Sequence, residues 1–201
     1  MAGLIGIFGG TFDPPHLGHL ILAAEAAYQL QLSRLLWVLT PTPPHKLNQN
    51  ITPLAARLEL LQAALADNPL FELSMVEMNR PGPHYAVDTV RLLAQQNSGA
   101  GMVYLMGGDS LRDLPTWRQP QELLAACASL GVMRRPEDAI DLTVLESQLP
   151  GLTGKVRFIN APLLEISSRE IRRRIACGEP YRYYLQPQVT ALIQSRGLYQ
   201  D

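Results

Sequence analysis

Residues 4–19 read LIGIFGGTFDPPHLGH. Leu4 to Phe8 is an apolar run of strand length that ends abruptly in Gly9-Gly10. A continuous apolar run closed by a turn signal predicts a strand buried on both faces. Past Pro14-Pro15, apolar residues recur at helical spacing from Leu17 to Leu32 without a proline, which predicts a helix. Strand, glycine turn and helix in direct succession open an α/β unit.

The same alternation continues along the chain. Strands are expected at Leu35–Leu39, Phe71–Met75, Met102–Met106, Ala128–Met133 and Val156–Ile159. Between them, helices are expected from Pro53 through Ala66, over Tyr85–Gln96 and over Gln121–Cys127, with residues 136–154 as mixed, polar surface structure. Ser168–Cys177 and Pro187–Gln194 close the chain as helices. The pattern predicts an α/β fold built on a single doubly wound, mainly parallel sheet with helices on both faces. Ligands in such folds bind beyond the carboxyl ends of the strands, near the switch in strand order. The unusual segments GGTFDPPHLGH, TPTPPHK and MGGDS all follow predicted strands, a shared placement that points to one composite site.

Composition narrows the class. The 201 residues suffice for one domain with a substantial core, and the expected unit spans 1–201. Hydrophobic residues make up 47%, which excludes a disordered chain, and the net charge of −1 argues against non-specific nucleic-acid binding. Arg169, Arg172, Arg173 and Arg174 nevertheless crowd together, a density that suits a small anionic ligand. Cys127 and Cys177 form neither a disulfide framework nor a zinc pattern, so a reducing compartment is expected. MAGLIGIFGG lacks the basic start of a signal peptide, and no stretch reaches the roughly 20 apolar residues of a membrane span. A cytoplasmic protein that binds neither membrane nor nucleic acid is expected; its oligomeric state is not legible.

The chemistry begins in the first loop. Gly9 and Gly10 permit close backbone approach to a ligand, and Thr11 offers a hydroxyl. His16 and His19 stand three apart at the start of the predicted helix, where backbone amides form a natural phosphate site. Alone, an HxxH pair reads first as surface polar residues on an ordinary turn; neither a GxGxxG nor a Walker loop is present. Near the other end, residues 166–172 read ISSREIR. Ser167 and Glu170 have capping-box spacing, and Arg172 follows one turn later, where its guanidinium can fork onto phosphate oxygens. By itself this segment is also compatible with an amphipathic surface helix.

Together the two segments are specific. GGTFDPPHLGH resembles the GTFDPxHxGH signature of the nucleotidyltransferase superfamily, and ISSREIR resembles its ISSTxIR motif. The resemblance spans essentially the full length and implies a Rossmann-like fold whose C-terminal helical part, about residues 166–201, carries the second motif. It implies that Gly9, Gly10, Thr11, Phe12, His16, His19, Ile166, Ser167, Ser168 and Arg172 bind ATP, with His16, His19 and Arg172 catalytic. Arg169 stands where the family usually has threonine.

Four further segments resemble the bacterial nicotinate-nucleotide adenylyltransferase branch. Pro44-His45-Lys46 resembles its PHK loop and implies that His45 and Lys46 meet the mononucleotide phosphate. MGGDS resembles its GxD motif, which implies Gly107 and Asp109 at the adenosine. LPTWRQP, by the same resemblance, implies Trp117 and Arg118 at the pyridine, and Tyr85 to Thr89 resembles the YTxxT segment of the acceptor pocket, with Ala86 in place of a threonine. The implied reaction is adenylyl transfer from ATP to nicotinate mononucleotide, with Mg²⁺ carried mainly on the ATP phosphates and no dedicated protein metal site. Two other readings are phosphopantetheine adenylyl transfer and a non-catalytic nucleotide-binding regulator. The PHK loop and Trp117 argue against the first, and intact His16, His19 and Arg172 against the second.

Overall fold

The computed structural model describes residues 3–42, 51–133, 140–162 and 164–200. Six strands form one sheet: β1 (Leu4–Gly10), β2 (Leu32–Leu39), β3 (Phe71–Ser74), β4 (Gly101–Gly107), β5 (Ser129–Met133) and β6 (Val156–Ile159). Their order is β3-β2-β1-β4-β5-β6, and every pairing is parallel. The order reverses between β1 and β4, so a crevice opens beyond the carboxyl ends of these two strands.

Nine helices are described: α1 (Leu17–Gln29), α2 (Leu54–Leu65), α3 (Ala86–Gln96), α4 (Gly108–Asp113), α5 (Pro120–Ala126), α6 (Leu142–Gln148), α7 (Leu152–Lys155), α8 (Ser168–Ala176) and α9 (Pro187–Arg196). The period-2 geometry of a strand sends alternate side chains to opposite faces. Leu36 and Val38 of β2 join a core with α3 and α5, whereas Leu35, Trp37 and Leu39 join a second core with α1 and α2. Both faces are therefore covered, which is why the strands read as unbroken apolar runs. A third cluster joins Leu60 and Ala64 of α2 to Ile171 of α8 and to Val189 and Ile193 of α9. That cluster docks the C-terminal helices beside the first loop.

The elements match the sequence expectation with three differences. The helical pattern from Leu17 extends to Leu32, but α1 stops at Gln29, Gln31 turns with φ 51°, and Leu32 begins β2 paired with Leu4. Burial of Leu32 in the sheet outweighs continuation of the helix. The segment after Gly107 is a short helix, α4, and from residue 140 the mixed segment forms α6 and then α7, which runs on to Lys155. No helix among the described residues is long and apolar enough to cross a membrane.

Candidate active site

The first loop links β1 to α1 and is organised by its two histidines. His16 is the N-cap of α1: its Nδ1 accepts from the His19 amide at 3.4 Å, while His19 Nδ1 accepts from the His16 amide at 3.3 Å. A ring nitrogen that accepts from an amide carries no proton, so both neutral rings hold theirs on Nε2. The rings stack with centroids 3.7 Å apart. Burial lowers the His16 pKa to about 4, so this ring is neutral near pH 7. Gly18 permits the stack, because a Cβ there would stand 3.1 Å from His16 Cε1 and Nδ1. The result is a donor pair at a helix N-terminus, where the Leu17 and Gly18 amides lie outside the reciprocal cap.

Phe12 takes a left-handed φ of 45° and turns its ring inward, only 2% exposed, against Phe8, His19 and Trp37. Its ring is therefore part of the core. Gly10 is required beneath it, since a Cβ would lie 2.8 Å from Phe12 Cζ.

The C-terminal motif docks directly on this loop. Arg172 Nη1 donates to the Asp13 carbonyl at 2.6 Å and lies 3.8 Å from its carboxylate. Ser168 Oγ donates to the Pro14 carbonyl at 2.8 Å. Ser167 caps α8 by accepting from the Glu170 amide, which leaves its hydroxyl proton for a ligand, whereas the Ser168 proton is committed. Ile166 lies beside Gly18 at the head of α1. Asp13, 5% exposed, accepts from the Tyr199 hydroxyl at 2.8 Å and the Thr52 amide at 3.2 Å.

The arginine cluster divides. Arg173 pairs with Glu170 and Glu179, and Arg174 with Glu170, on the outer face of α8. Arg169 is exposed, and Arg172 alone of the four bonds to the first loop. The crowding read as one anion site is therefore mostly a solvated ion-pair network.

Beside this corner lies a cavity of about 550 Å³ at the β1/β4 crevice, lined among others by Gly9, Gly10, Thr11, Tyr85, Trp117 and Arg118. Trp117 meets Tyr104 edge to face at 6.1 Å, and the Arg118 guanidinium sits 5.9 Å over the Tyr85 ring. Thr89 lines the cavity, but its hydroxyl donates to Glu77 at 2.6 Å and accepts from Arg80 at 3.1 Å. Gly107 caps α4, and exposed Asp109 folds its carboxylate back over Gly107. His45 and Lys46 lie outside the described residues.

Residues 7–174 match the sequence model for the cytidylyltransferase-like family. A probable nicotinate-nucleotide adenylyltransferase of Thermomicrobium roseum is 47% identical over 97% of this chain and 91% of its own length. The nicotinate-nucleotide adenylyltransferase of Bacillus subtilis is 39% identical over 98% of both chains. This chain belongs to the nicotinate-nucleotide adenylyltransferase family. A Plasmodium falciparum nicotinic acid mononucleotide adenylyltransferase, solved in complex with NaAD, shares the fold with a TM-score of 0.78 over 98% of this chain and 97% of that one, at 18% identity.

As a member of this family the chain is a nucleotidyltransferase, and several residues around its site carry no motif. Arg57, 2% exposed, donates to the carbonyls of Thr11, Thr40, Pro41 and Thr52, clamping the first loop to the segment after β2. Its signal is a lone charge on the buried stripe of α2, in register with Leu60, Leu61 and Ala64. Glu77 and His84 line the cavity from the loop before α3, and Tyr104 reaches it from β4. Nothing in local sequence ties Tyr199 to Asp13, 186 positions away.

Proposed function

We propose that this chain transfers the adenylyl group of ATP to the phosphate of nicotinate mononucleotide, giving nicotinate adenine dinucleotide and pyrophosphate. The observation that carries the reading is the adjacency of two sites. The His16–His19 pair and Arg172 form a donor corner for phosphates, and the aromatic-walled cavity beside it suits a pyridine ring.

An acceptor phosphate oxygen attacks the α-phosphorus of ATP in line; the new P–O bond forms as the bond to the bridging oxygen breaks, and pyrophosphate leaves with that electron pair. No side-chain nucleophile takes part. The protein holds two mutually repelling anions in line and stabilises charge on the phosphoryl oxygens. His16 and His19 supply neutral Nε2–H donors, Arg172 a fixed positive charge, and Ser167 a free hydroxyl. Lys46 and His45 are assigned to the acceptor phosphate, and Gly107 and Asp109 to the adenosine. Trp117 and Tyr85 flank the pyridine, with Arg118 over Tyr85. Thr89 supports that wall through Glu77.

Magnesium enters as part of the substrate, on the phosphate oxygens. Among the described residues no group of three or more His, Cys, Asp or Glu is placed to hold a metal ion, and Asp13 is already engaged by Tyr199 and Thr52. Helix α3 has no side-chain cap at Tyr85, and Ala86 in its first turn lines the cavity. A helix N-terminus favours a carboxylate over a neutral amide, which suits the nicotinate acceptor.

The test is to supply ATP with nicotinate mononucleotide, nicotinamide mononucleotide or phosphopantetheine and identify the dinucleotide product. The acid mononucleotide is expected to give the highest kcat/KM. Preference for phosphopantetheine would overturn the reading.

A further inference from the structure

The C-terminal turn reaches back to the first loop through one side chain. Helix α9 ends at Gly197, where the Leu198 amide returns to the Ile193 carbonyl at 3.0 Å. Next, Tyr199 takes a left-handed φ of 65°, a region that bulky residues avoid and keep only where their surroundings hold them. Its ring packs against the cluster that joins α2, α8 and α9, and its hydroxyl donates to Asp13 Oδ1 at 2.8 Å. Burial and the Asp13 charge push the hydroxyl pKa up, so it remains a donor at neutral pH.

Asp13 stands between this hydroxyl and Arg172. Its carboxylate is buried, and Oδ2 accepts from the Thr52 amide at 3.2 Å and lies 3.8 Å from Arg172 Nη1. The last distance is beyond a hydrogen bond. Arg172 Nη1 donates instead to the Asp13 carbonyl, so the guanidinium is drawn to the loop without forking onto the carboxylate. A bidentate arginine–carboxylate pair is the strong alternative, and a buried carboxylate short of partners favours it. Arg172 is also the positive charge offered to the triphosphate, so capture by Asp13 would withhold it from ATP. Two donors oppose that capture: the Thr52 amide and the Tyr199 hydroxyl. Arg57, close enough to feel the Asp13 charge, directs its donors to main-chain carbonyls.

We propose that Tyr199 is a positioning residue for ATP binding: its hydroxyl holds the Asp13 carboxylate off Arg172 and so keeps that guanidinium available to the triphosphate. The inference rests on the assignment of Arg172 to the ATP phosphates made above. Calorimetric titration with ATP and magnesium, without acceptor, reads it directly. Tyr199→Phe keeps the ring and deletes the donor. Its Kd for ATP should rise about tenfold, while kcat at saturating ATP with nicotinate mononucleotide stays within about threefold of wild type. In the Asp13→Asn background the same Tyr199→Phe change should move the Kd less than about twofold, because no carboxylate remains to capture Arg172. Para-aminophenylalanine in place of Tyr199 keeps a donor at the same ring position and should restore most of the affinity.

An unchanged Kd in folded Tyr199→Phe overturns the proposal. So does an equal rise in the Asp13→Asn background, or a fall in kcat as large as the loss of affinity. If Tyr199→Phe does not fold, O-methyltyrosine in place of Tyr199 removes the donor and keeps the oxygen. Affinity equal to that of the para-amino chain then overturns the proposal, as does failure of both donor-less chains to fold. Wild-type protein that binds ATP but makes no dinucleotide from nicotinate mononucleotide overturns the proposed function and leaves this inference standing. Wild-type protein that does not bind ATP overturns both.

Discussion

His16 shows how one residue serves both architecture and chemistry. Its ring caps α1 through Nδ1 and stacks on His19, which leaves Nε2 to carry the proton. Burial lowers its folded pKa from 6.5 to about 4, so between those values the unfolded chain binds the extra proton and stability rises with pH. Acidification from pH 6.5 to 4 should remove up to roughly 3 kcal/mol on this account. Urea midpoints measured across that range should fall less steeply in His16→Asn than in wild type. HxGH is legible as a motif because its spacing is local; the proton positions are not, because they depend on two amide contacts that only the folded turn creates.

At the scale of elements, the arginine-rich helix and the buried arginine exchange the importance a reading by charge density would give them. On α8, Arg173 makes ion pairs with Glu170 and Glu179 at the surface, and such pairs contribute little in water. Arg173→Ala should leave turnover intact and Tm within about 2 °C of wild type. Arg172→Ala, one residue away, should lower kcat by about 100-fold, because its guanidinium alone of the cluster bonds to the first loop. Arg57 has no exposed charge to draw attention, yet it satisfies four carbonyls from three chain segments. Arg57→Met removes the charge but leaves those carbonyls buried, at a cost of about 3 kcal/mol or more and a fall of roughly 10 °C in Tm by calorimetry. Secondary structure was legible wherever apolar period and turn residues agreed. It slipped at Leu30–Leu32, where helical spacing continues but pairing of Leu32 with Leu4 claims the residue for β2.

At the scale of the molecule, the alternation of apolar runs with helical segments fixes an α/β class, and the strand order places the site at the β1/β4 switch. The order itself is not written in any local stretch, since it depends on which faces the crossovers cover. The two motifs that resemble a triphosphate site were readable separately. Their contact was not, because the Arg172–Asp13 and Ser168–Pro14 bonds span more than 150 positions and depend on α8 and α9 docking against α2. The acceptor wall was the least legible part: Glu77 and His84 belong to no motif, and only the fold brings them to the cavity.

The central claim is that the His16–His19 turn and α8 form one phosphate site. A double-mutant cycle on kcat/KM for ATP, with His19→Ala, Arg172→Ala and the double variant, tests it most directly. Each folded single variant should lose about 100-fold or more, and the double variant far less than the product of the two losses. Near-wild-type turnover in either folded single variant, or losses that simply multiply, would contradict it.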